Sequence, residues 1–153
     1  MSVGSPSVRP AEVTSPLVAL TGVEKVFRTG RLEYPALRGV DLTLDKGDYV
    51  SIVGPSGSGK STILNIVAGI DRPTAGTVSV GGRRIDQMGE EELAVWRGET
   101  IGIVFQFFQL LPTLTALENA MLPLDFTDGG PAEDRRARAM RNLELVGLAD
   151  KAD

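Results

Sequence analysis

Apolar and polar positions change their period several times along the chain, and each change marks an element. Over LVALTGVEKVF (17–27) and ALRGVDLTL (36–44) the alternation predicts two strands, joined by a loop that holds Gly30 and Pro35. Two such runs in succession predict an antiparallel sheet region. After the polar turn DKGD (45–48), YVSIV (49–53) is a short apolar strand, and STILNIVA (61–68) shifts to helical spacing and stops at Gly69. TVSVGGRRI (77–85) predicts a strand pair turning at Gly81-Gly82, EEELAVWR (90–97) a short helix, and TIGIVFQ (100–106) a buried strand. LTALENAML (114–122) and AEDRRARAMRNLELVGL (132–148) return to helical spacing, separated by a loop with Pro123, Gly129, Gly130 and Pro131.

Composition narrows the classes. A chain of 153 residues with 42% hydrophobic content can bury the core of one domain. Its first sixteen residues, MSVGSPSVRPAEVTSP, are rich in Ser and Pro and lack the apolar core of a secretory signal, so 1–16 reads as a disordered lead-in and 17–153 as the domain. A formal charge of −4 gives no general reason to expect nucleic acid, and none is expected as a partner. Without cysteine or histidine, disulfides, thiolate or imidazole metal sites and triads built on either residue are excluded. The most apolar stretch, IGIVFQFFQLL (101–111), is interrupted by two glutamines and is far shorter than the ~20 residues that cross a bilayer. Arg135, Arg136, Arg138 and Arg141, beside Glu133 and Asp134, read as a solvated helix face.

The chemistry concentrates in GPSGSGKS (54–61), which fits the G-x-x-x-x-G-K-[ST] phosphate-binding loop and stands between a predicted strand and a predicted helix, the setting that motif requires. The plainer alternative is a Gly/Ser surface turn, but such a turn has no need of those flanks. Gly54, Gly57 and Gly59, spaced by Pro55, Ser56 and Ser58, let the backbone turn so that successive N–H groups face an anion. The helix N-terminus adds its dipole at the same place. Lys60 is expected to reach the β- and γ-phosphates, Ser61 to ligate Mg²⁺ and Thr62 to donate to the α-phosphate. Kinases, GTPases and transport ATPases all use such a loop, although no Asn-Lys-x-Asp guanine-reading motif is present.

From Ala36 to Pro123 the sequence resembles the ATP-binding subunits of ABC transporters. The resemblance is carried by ALRGVDLTLDKGDYVSIVGPSGSGKSTILNIVAGIDRPTAGTVSVGG and by IGIVFQFFQLLPTLTALENAMLPL, and FQFFQLLPTLTALEN is similar to the lipoprotein-release and macrolide-export subgroup. It implies an α/β fold: an ABC-type P-loop nucleotide-binding domain, incomplete, with an antiparallel β subdomain and the start of a helical subdomain. It also implies ATP and Mg²⁺ as ligands, a transmembrane permease subunit and a second ATP-binding subunit as partners, and a peripheral place on the inner face of the cell membrane. Gln106 matches the family's Q-loop glutamine, which touches Mg²⁺, helps position the attacking water and couples the site to the membrane partner. Phe27 stands where an aromatic residue, more often tyrosine, stacks on adenine, and a phenyl ring has the π-face this needs; ordinary core packing is the alternative. Phe107, Phe108, Leu110, Leu111 and Leu114 fall where the family docks its membrane partner, or are simple core.

The same resemblance implies that an LSGGQ signature, an apolar strand ending in Asp-Glu and a switch histidine follow, and the residues up to LADKAD hold none of them. LPLD (122–125) is no substitute, since it contains a proline and is followed by Phe126. A portion truncated before the signature is therefore expected. It would bind ATP without hydrolysing it, because the absent glutamate would be the general base, and would leave an apolar sheet edge uncovered. A non-catalytic nucleotide-binding or interaction module and another P-loop kinase or NTPase remain as alternatives.

Overall fold

The computed structural model describes residues 15–126 and 131–153. Nearly all of the expected lead-in, and the Gly129-Gly130 part of the expected interhelical loop, lie outside them. The chain divides into two compact units, one ending at Met88 and one running from Gly89 to Asp153.

In the first unit, β1 (Val18–Thr29) and β2 (Leu32–Leu44) form a long antiparallel hairpin. β1 also pairs antiparallel with β3 (Ala75–Val80), and β3 with the short β4 (Arg83–Arg84), giving the order β2-β1-β3-β4. Val18 and Leu20 point to the core, and the next buried position is Val23 rather than residue 22. An irregularity at Thr21-Gly22 absorbs the extra residue in both pairings, so the apolar face stays on one side. Gly76 meets this bulge so closely that a Cβ there would lie 2.3 Å from the Gly22 carbonyl oxygen. Leu37, Ile66, Ala68, Val78, Val80, Ile85 and Met88 are buried along with Val18, Leu20 and Val23.

Helix α1 (Lys60–Val67) ends as expected at Gly69. With Gly69 in the left-handed region, its N–H donates to the Ile66 carbonyl and that of Ile70 to the Asn65 carbonyl, so the last turn is closed by a Schellman motif. Beyond β4, the Asp86 carboxylate accepts from the Val78 N–H at 2.9 Å and from both Nε and a terminal nitrogen of Arg84. The Arg84 hydrogen bond holds the Asp86 carboxyl below its ordinary value and raises the guanidinium in turn.

The second unit contains α2 (Glu90–Thr100), α3 (Ala116–Asp125) and α4 (Ala132–Leu145). α2 carries three glutamates in its first turn and Arg97 in its last, in the sense the helix dipole favours. α3 starts in a capping box between Thr115 and Glu118. Leu117, Ala139 and Leu143 form one buried cluster with Ala152, whose carbonyl accepts from the Leu117 N–H at 2.9 Å, and Leu93 and Trp96 of α2 are buried as well.

Four sequence expectations are corrected. Pro35 lies within β2 rather than in the loop, which is only Gly30-Arg31; β2 is an edge strand, where a missing N–H is tolerated. Pro123 lies inside α3, and the helix ends two residues later. Residues 49–53 and 100–106 form no strand: Thr100 closes α2, and the rest run without helix or strand, with Tyr49 and Val104 fully exposed. Among the described residues nothing pairs with them, and a strand needs a neighbour to take up its N–H and C=O groups. Phe107, Phe108, Leu110 and Leu111 are likewise exposed, not core.

Candidate functional site

The phosphate-loop residues are held between β2 and α1 by a close backbone approach. Lys25 pairs with Leu37 and Val26 with Pro35, so Ala36 is the extra residue of a bulge in β2. Gly59, at φ 90° just before α1, faces this bulge: a Cβ there would lie 2.8 Å from both the Ala36 carbonyl oxygen and Leu37 Cδ2. Only glycine meets both demands, the positive φ and the contact.

Within the loop, donors converge. The Lys60 ammonium donates to the Gly54 carbonyl at 3.0 Å and to the Pro55 carbonyl at 2.7 Å. The Ser58 N–H donates to that same Pro55 oxygen at 3.3 Å. A cation and an amide thus turn on one oxygen, as they would on an oxygen of a phosphate, and charge-assisted bonds to a phosphate are stronger than those to a neutral carbonyl. The loop also walls a cavity of about 240 Å³. Residues 56–62 form one side, with Ala36 beside them, and the rings of Phe27 and Tyr34 line it from the hairpin. Gly54 and Pro55 take part through their carbonyls rather than by lining it.

The Phe27 ring is half-exposed and is fixed from behind. The Lys25 ammonium lies 5.0 Å from its centroid. Lys25 is paired with Asp71 and donates to the Arg72 carbonyl at 2.8 Å, just beyond the C-terminus of α1. Thr74 clamps the same part of β1, its N–H donating to the Glu24 carbonyl and its hydroxyl accepting from the Val26 N–H.

The structure therefore gathers Phe27 and Ser56 to Thr62 around one cavity. Gln106 belongs to the second unit, where it is exposed in the stretch after α2. Downstream of it, Asn119 organises the turn before α3: its amide donates to the carbonyls of Leu111, Leu114 and Thr115, and its oxygen accepts from the Leu111 N–H. Tyr34, Lys25 and Asp71 were not singled out from the sequence. Counting outward from a two-residue turn at Gly30-Arg31 puts Tyr34 opposite Phe27, but Asp71 lies 46 residues from Lys25 and nothing local points to it.

Among the described residues no group of three or more acidic side chains gathers that could hold a metal. A Mg²⁺ held by a hydroxyl and by substrate phosphates needs no such group. No helix among the described residues is long and apolar enough to cross a membrane.

Comparisons with known proteins follow the same lines. The family model described as ABC transporter matches residues 37–153. An uncharacterized ABC transporter ATP-binding protein of Thermotoga maritima is 48% identical over 135 residues, covering 88% of this chain and 57% of that protein. The lipoprotein-releasing system ATP-binding protein LolD 1 of Caulobacter vibrioides is 45% identical, covering 90% of this chain and 58% of its own length. The macrolide export ATP-binding/permease protein MacB 1/2 of Paracoccus denitrificans is 42% identical over 92% of this chain and 21% of its own. Among solved structures, a dimeric post-hydrolysis state of the ATP-binding cassette MJ0796, bound to ADP and phosphate, superposes with a TM-score of 0.81 at 43% identity, covering 88% of this chain and 60% of that one. The chain thus spans 57–58% of the length of the first two of these relatives.

Proposed function

The chain belongs to the ABC transporter family, and from that premise we propose that it binds ATP with Mg²⁺ as the phosphate-loop portion of an ATP-binding subunit. One observation carries the proposal: a cation and a backbone amide converge on a single oxygen beside an aromatic-walled cavity. Lys60 takes the β- and γ-phosphates, the backbone of 54–59 cradles them, Ser61 is the Mg²⁺ ligand, Thr62 donates to the α-phosphate and Phe27 stacks on adenine. When bound, Mg²⁺ neutralises phosphate charge. Gln106 completes the Mg²⁺ shell and passes its state to the membrane partner.

In the full-length protein this portion couples ATP binding and hydrolysis to export or lipoprotein release through a separate permease subunit, peripherally at the membrane. The exposed apolar residues Phe107, Phe108, Leu110 and Leu111 support a docking role, and the dimeric solved relatives support a second ATP-binding subunit as partner. Binding without turnover is the function proposed for the chain as it stands, because none of the described residues lining the cavity is a carboxylate that could take a proton from water.

Calorimetry with MgATP on the full chain tests this. Binding is expected, weakened roughly ten- to a hundredfold in Lys60→Ala by loss of a charge-assisted contact. Equal affinity in the variant would remove the site assignment, and phosphate release abolished by Lys60→Ala would replace binding alone with catalysis.

A further inference from the structure

Phe27 is not alone on its side of the hairpin. Were the Lys25–Leu37 register continued, Phe27 would face Pro35; the bulge at Ala36 shifts the pairing by one residue and brings Tyr34 directly opposite. Residues directly opposite on an antiparallel pair project to the same face. Both rings line the phosphate-loop cavity, and Tyr34 is more than half exposed there, so its surface is open to a ligand rather than spent on core packing. Its hydroxyl donates to the Gly57 carbonyl at 3.2 Å, in the middle of the loop.

From this geometry we infer that Tyr34 is a second nucleotide-contact residue: its ring widens the base-binding wall begun by Phe27, and its hydroxyl orients the phosphate loop through Gly57. The inference rests on the nucleotide reading above. The two ends of one side chain have separable effects. The ring meets only a ligand that carries a base. The hydroxyl acts on the loop, and so on any triphosphate, with or without a base.

The test measures binding of MgATP and of Mg-tripolyphosphate to the full chain and to Tyr34→Phe and Tyr34→Ala, with thermal melts to show that this exposed position leaves folding intact. Tyr34→Phe is expected to weaken both ligands alike, by roughly two- to fivefold, as for loss of one neutral hydrogen bond. Tyr34→Ala is expected to weaken tripolyphosphate no further but ATP by at least about another fivefold, as for loss of an aromatic surface under a base. If Tyr34→Ala matched Tyr34→Phe on both ligands, the ring contact would be refuted. If Tyr34→Phe matched the parent on both, the loop role would be refuted. A parent chain that bound neither ligand would overturn the nucleotide reading itself, and this inference with it.

Discussion

The β1–β2 hairpin and the stretch from Ile101 to Leu111 are both written in strand-like, apolar text, yet one is a sheet and the other is not. In the hairpin the partner lies across a two-residue turn and takes up the backbone groups, and Val18, Leu20, Val23 and Leu37 are buried on one face. In 101–111 the described residues offer no neighbouring strand, and Val104 stands fully in solvent. Residues 49–53 repeat the contrast within the first unit. Hydrophobic strand text therefore specifies a surface to be covered, and only an available partner turns it into a strand.

The contrast is sharpest in a pair of charge insertions. Val23→Asp, at a position with 0% exposure in β1, is expected to destabilise the first unit by at least about 3 kcal/mol, since it buries a carboxylate without a partner. Val104→Asp is expected to change stability by no more than about 0.5 kcal/mol. Chemical denaturation of both variants checks this, and an equal loss in the two would mean that 101–111 is covered in solution.

A smaller effect sharpens the local side of the comparison. Asp86 ties Val78 in β3 to Arg84 in β4, and the Arg84 bond depresses its folded pKa below the unfolded value. Its contribution is thus present above the unfolded carboxylate pKa of about 4 and is lost as pH falls through the lower, folded value. Melting temperature should accordingly fall less steeply with acid in Asp86→Asn than in the parent, from about pH 4 downward; parallel acid limbs would count against the linkage.

Much of this was legible in advance because it is local. The glycine-rich loop, the four helices among the described residues and the β1–β2 and β3–β4 hairpins are each set by residues a few positions apart, down to Gly69 at the end of α1, whereas the β1–β3 pairing, with Val18 opposite Val80, is not. Pro35 misled because whether a strand tolerates proline depends on its being at an edge, which only the sheet order reveals. Tyr34 escaped notice because residues between 27 and 36 read as a loop, whereas the strands run on to a two-residue turn at Gly30-Arg31 that sets Tyr34 opposite Phe27. The segments 49–53 and 100–106 misled for the reason given above: their apolar residues are strand-compatible, and a sequence window does not contain the partner.

The brace behind Phe27 has a mechanical meaning. Helix α1 begins at Lys60 and, about 12 Å along its axis, hands over to the segment whose Asp71 anchors the Lys25 ammonium beside the Phe27 ring. One stiff rod therefore sets the spacing between Lys60 and the Phe27 ring. A molecule held at both ends, as proposed above, would feel any slide of that rod at both at once, like an object between caliper jaws that share a single bar.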